Sequence, residues 1–97
     1  MSENQTVWTI LWNHAAAQPT PGSPFEIGVI VPAVAAALHA PEAQALALVS
    51  QLLDELGRLP EGRQFFAREG NAVVPLSRFL QVSRTVTRPV DAYPYEL

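Results

Sequence analysis

Two histidines, two aspartates and six arginines are the residues of this 97-residue chain on which acid–base, metal or anion chemistry would most readily draw. His14 and His39 have no cysteine and no paired carboxylate at ligand spacing, so neither belongs to a zinc pattern. No serine lies in a Gly-x-Ser-x-Gly turn, no glycine-rich phosphate loop follows a strand, and the aspartates, Asp54 and Asp91, are far apart. The expectation is a non-catalytic protein with no cofactor and no metal. His14 continues the apolar series Val7, Ile10, Leu11 and reads as a half-buried core histidine. Asn4-Gln5-Thr6 has the form of a glycosylation acceptor, which has meaning only in a secreted chain.

Every basic residue is arginine, and all six fall between Arg58 and Arg88. Residues 1–57 hold five acids and no base, giving −5, whereas residues 58–97 carry +2, for a total of −3. Nucleic-acid binding rests on a clustered basic face. Arginines interleaved with Glu61, Glu69 and Asp91 fit that poorly, so nucleic acid is an unlikely partner, with Arg58, Arg63 and Arg68 the residues a weak binder would use. The start, MSENQTVWTILWNH, has no basic segment ahead of its apolar residues, and a cytoplasmic setting is expected. The apolar run Ile27 to Leu38 falls short of the roughly 20 residues that cross a bilayer, so no membrane role is expected.

The elements that must position these residues follow from periodicity and punctuation. Ser2 and Gln5 have capping-box spacing ahead of a helix over about 3–17. Three prolines and a glycine make residues 18–24 a loop, after which Ser23, Pro24 and Glu26 can open a single turn that Gly28 ends. An almost wholly apolar helix over 29–39 follows, with Pro32 in its first turn. The next helix, 41–57, has Ala45, Leu48 or Val49, Leu52 and Leu56 on one stripe. Pro60 and Gly70 bracket a short helix, 60–69, and Asn71 caps a last one, 72–83, through Val73, Val74, Leu76, Phe79 and Leu80. The remaining residues, rich in β-branched side chains and proline, read as extended.

The punctuation repeats. Gly28 and Gly70 are 42 residues apart, and Pro32 and Pro75 are 43 apart. With PEGRQFFAREGNAVVPLSRFLQ read as a short helix, glycine turn and proline-bearing second helix, and PEAQALALVSQLLDELGRL as a long third helix, the chain resembles the armadillo family, whose period is about 40–47 residues. The resemblance implies an all-α fold: a short right-handed solenoid-like bundle of about five helices in two armadillo-like units, over residues 1–88, with an extended tail at 89–97. A compact five-helix domain without a repeat is the other reading of the same pattern.

The resemblance further implies a protein-binding scaffold whose groove presents an asparagine, and a tryptophan one turn before it, from each third helix. Asn13 and Thr9 occupy those places in the first such helix, and Glu55 and Gln51 in the second. Trp8 and Trp12, four residues apart, are either core residues or partner anchors. Tyr93, Tyr95 and Leu97 alternate, so an extended tail shows them on one face, expected to lie over the helix at 72–83. Two units leave apolar terminal faces, including Trp12 and Phe79, in need of cover. The chain is therefore expected to bind a protein partner or itself, or to serve as an accessory subunit completing another protein's core.

Overall fold

The computed structural model describes residues 2–95. Its first helix, α1 (Glu3–Ala16), opens on the expected capping box: the Gln5 amide donates to Ser2 Oγ at 3.1 Å and the Ser2 amide donates to Gln5 Oε1 at 3.2 Å. The proline-rich loop closes on a turn at Thr20–Ser23, with Pro21 and Gly22 (φ +85°) at its centre and the Ser23 amide donating to the Thr20 carbonyl at 3.1 Å. A two-residue strand, β1 (Phe25–Glu26), and a 3-10 turn at Ile27–Val29 lead into α2 (Val31–Leu38), which carries Pro32 in its first turn.

Between α2 and α3 (Glu42–Leu56) the chain bends by 108° across His39, Ala40 and Pro41. His39 closes α2 in the left-handed region, φ 53° and ψ 45°, and the Ala40 amide donates back to the Ala35 carbonyl at 3.0 Å. That is a Schellman closure, at a position glycine usually fills. Two helices crossing at about 90–120° through so short a turn form a helix-turn-helix. The strands β2 (Phe66–Glu69) and β3 (Ala72–Pro75) then make an antiparallel hairpin, and β3 pairs on its other side with β1, giving the order β1-β3-β2. The connectivity is that of a helix-turn-helix with a hairpin as its wing, a topology that by itself names no function. A short helix, α4 (Ser77–Val82), and a 3-10 turn at Pro89–Ala92 complete the chain.

The all-α expectation is therefore corrected: the fold is mixed α/β. The segment expected as a helix at 60–69 is a 3-10 turn, Glu61–Arg63, followed by β2, and the segment expected as a helix at 72–83 is β3 followed by α4. Gly70 is not a helix stop. It has φ +61° and shares with Asn71 a two-residue loop between the paired Glu69 and Ala72, where the twist of a hairpin favours glycine first. The first copy is a 3-10 turn and α2 where the second is a hairpin loop and strand β3, so the two copies do not have the same structure, and neither armadillo-like units nor a solenoid is built. Pro75, expected inside a helix, ends the central strand opposite Phe66, and the next amide, of Leu76, donates to the Phe65 carbonyl at 2.9 Å. The expected extended tail is also revised, since it includes the turn at Pro89–Ala92.

One core holds these elements together. Trp8 is fully buried, and its ring centroid lies 5.5 Å from both Trp12 and Phe65, and 5.8 Å from both Phe66 and Tyr93. Trp12 meets Phe79 at 4.7 Å. Val7, Leu11, Val34, Val49, Leu52, Leu56 and Val73 fill the space between helices and sheet. The faces expected to need a partner are thus covered within the chain by the hairpin and the C-terminal segment. Trp8 Nε1 donates to the Pro89 carbonyl at 2.7 Å, fastening that segment to α1 more than to α4.

Positive φ at two sites gives opposite expectations. A Cβ at Gly70 meets no atom within 4 Å, so the cost of Gly70→Val is a backbone cost, about 1–3 kcal/mol of stability. His39→Gly relieves a similar constraint and gains about 0.5–1 kcal/mol. Urea denaturation of both variants measures the two signs.

Candidate interaction surface

The helix-turn-helix places one side of each of its helices on the outside. On α2 the exposed positions are Pro32, Ala33, Ala36 and Ala37, all small and uncharged. On α3, Ala45, Val49, Leu52, Leu53 and Leu56 face the core, and Glu42, Ala43, Gln44, Leu46, Ala47, Gln51 and Asp54 are exposed. The outward set recurs three and four residues apart, which groups it on one side of the helix. Leu46 is 46% exposed and Val29, just ahead of α2, is 53% exposed. The periodic stripe of α3 gave no cause to single out Leu46; the signal was a leucine left off that stripe.

Charge around α3 is acidic. Glu42, Asp54 and Glu55 lie on it, and no arginine precedes residue 58. Arg68 of β2 places its Nη1 at 3.6 Å from Asp54 Oδ1 while its Nε donates to the Gly70 carbonyl at 2.9 Å. The pair is solvent-exposed, so it orients the hairpin against α3 more than it stabilises the fold. In a DNA-binding helix-turn-helix the second helix reads the major groove, which requires neutralising phosphates. A second helix with three carboxylates and no cation does the reverse.

The residues singled out from the sequence divide between core and surface. Trp8, Trp12 and Phe79 meet in the core, with at most 4% of their surface exposed, and Tyr93 joins them at 9%. Thr9 is half-buried on α1, its hydroxyl donating to the Gln5 carbonyl at 2.8 Å, and Asn13 is exposed on the same helix. Gln51 and Glu55 sit one turn apart on α3, with Gln51 Nε2 at 3.5 Å from Glu55 Oε1. Tyr95 is 65% exposed, its ring 5.0 Å from that of Tyr93 and its hydroxyl donating to the Val90 carbonyl at 3.3 Å. Leu97, the third member of the alternating tail, lies outside the described residues. Among the described residues no group of His, Asp or Glu side chains has the arrangement of a metal site, and no single helix is long and apolar enough to cross a membrane. Comparison with protein families, with curated proteins and with solved structures finds no match to this chain.

The titration of Tyr93 is displaced upward. Burial pushes its phenol above the ordinary value of 10.0, a hydrogen bond with the Asn4 side chain opposes that shift, and the nearby Glu55 carboxylate adds to it. A phenol that ionises less readily folded than unfolded contributes stability that is complete below the unfolded value and is lost as pH rises through the folded one. Stability therefore falls above about pH 10, and Tyr93→Phe, measured by denaturation along a pH series, flattens that fall.

Proposed function

We propose that this protein is a non-catalytic interaction module that binds a protein partner through the outward face of α3. The observation that carries the reading is the pairing on that face of an exposed apolar group, Leu46 with Ala43 and Ala47, and carboxylates at Glu42 and Asp54. The complement is a cationic segment with an apolar anchor, such as an amphipathic helix with leucine and lysine on one side. Leucine supplies burial; charge supplies orientation and encounter rate.

A second copy of the chain is a weaker complement. Its arginines lie on the later half, yet the large exposed apolar side chains among the described residues are Val29, Leu46 and Tyr95, none of them on α4 beside Arg78. The self-association expected from two exposed repeat ends also loses its premise, because Trp12 and Phe79 are inside. A role in completing another protein's core draws no support from a core that closes within the chain.

Titration with a leucine–lysine amphipathic peptide, followed by amide NMR, is expected to perturb Glu42, Ala43, Leu46 and Ala47, and to weaken with salt. Leu46→Lys should reduce affinity about tenfold or more, while Thr87→Lys, at an exposed position away from α3, should leave it unchanged. Perturbations centred elsewhere, salt-sensitive binding of duplex DNA in place of the peptide, or a dimer by sedimentation that buries Leu46 would overturn the assignment.

A further inference from the structure

The exposed side of α3 already carries a cation supplied by the chain itself. Ala43, Ala47 and Asp54 are spaced by four and then seven residues, which sets them on one side of the helix, with Leu46 at its border. Leu46 and Asp54 are separated by about 12 Å of helix rise. A helix laid along α3 with leucine and lysine seven or eight residues apart therefore meets both. The hairpin reaches the same surface at its Asp54 end, where Arg68, exposed on β2, brings Nη1 to 3.6 Å from Asp54 Oδ1.

That contact is built to be exchanged. At 3.6 Å it is an ion pair longer than a hydrogen bond. Arg68 Nε donates to the Gly70 carbonyl at 2.9 Å, so the guanidinium is tethered to the hairpin loop more firmly than to the carboxylate. The Asp54 side chain keeps 61% of its surface exposed, against 33% for Arg68, which leaves the carboxylate open to a second cation. A lysine arriving on a partner can form a charge-assisted hydrogen bond there of about 2.7–2.9 Å. An exposed pair such as Arg68–Asp54 contributes a factor of up to about five to an equilibrium, so its release opposes binding only modestly.

We infer that Arg68 is an internal competitor for the cation of the α3 partner: its pair with Asp54 covers one end of the surface in the free protein and opens when a lysine takes the carboxylate. The inference rests on the reading of α3 as the binding face, and it assigns to the hairpin the tuning of that face. The test uses the full chain and the leucine–lysine peptide. Arg68→Gln should tighten its binding about two- to fivefold, and Arg68→Thr, which suits a strand, should do the same. In an Asp54→Asn background Arg68→Gln should change nothing, which separates competition at Asp54 from the general loss of a positive charge. Arg84→Gln, removing an equal charge beside the end of α1, should leave affinity unchanged. Competition is overturned if both Arg68 variants bind the peptide no more tightly than the native chain, if the gain survives in Asp54→Asn, or if Arg84→Gln gives an equal gain. Where Leu46→Lys still weakens binding in those cases, the α3 surface stands without this role for Arg68. A peptide that binds neither the native chain nor the Arg68 variants overturns both.

Discussion

The buried indole of Trp8 is the contact on which the rest of the molecule depends. It stands near the start of the chain, yet its nitrogen reaches the carbonyl of Pro89 and its ring touches Phe65, Phe66 and Tyr93. Burying an indole without a partner for its N–H would leave an unsatisfied donor in an apolar interior, at a cost of about 1–3 kcal/mol. The Pro89 carbonyl satisfies it, and the same bond draws the C-terminal segment across α1. A domain this small buries a modest share of its surface, so joining its two ends through one side chain closes a core that the helices alone would leave open.

The hairpin supplies the other half of that closure. Val73 and Pro75 are buried in alternation with Ala72 and Val74 on the central strand, and Phe66, paired with Pro75, is buried with them, while Arg68 and Glu69 at the end of β2 are exposed. With the sheet covering the aromatic residues of α1, the helix-turn-helix is left with one outer side, and the sequence makes it alanine-rich on α2 and acidic with a leucine on α3. The arginines fall on the connection between α3 and β2 (Arg58, Arg63), on the hairpin (Arg68), on α4 (Arg78) and in the residues that follow it (Arg84, Arg88). The charge asymmetry along the chain thus becomes an asymmetry between structural units.

Much of this was legible from residue order. The capping box at Ser2, the loop at 18–24, the proline in the first turn of α2 and the extent of α3 to within a residue all follow from local rules whose partners lie a few positions away. The region from Phe65 to Pro75 was misread because Val73, Val74, Leu76, Phe79 and Leu80 also fit a helical period. The competing signal was present: Gly-Asn between Phe-Phe-Ala-Arg-Glu and Ala-Val-Val-Pro is a two-residue hairpin loop flanked by aromatic and β-branched residues. Taking Gly70 as a helix stop generated both the repeat and the all-α fold. The burial of Trp8 and Trp12 was beyond local rules, since each packs against Phe65, more than fifty positions away, and Leu46 became visible only once the core had claimed its neighbours.

The sheet itself bears on how any protein could meet this one. Its outer strands are β1, only two residues long, and β2, four residues with Arg68 and Glu69 on it. Short, charged borders offer little backbone for an incoming strand to pair with, the usual protection against edge-to-edge aggregation. They also remove β-strand addition from the ways a peptide can dock. A protein meeting this one would then meet side chains on its helices, where a single substitution changes the surface without touching the hydrogen-bonded frame.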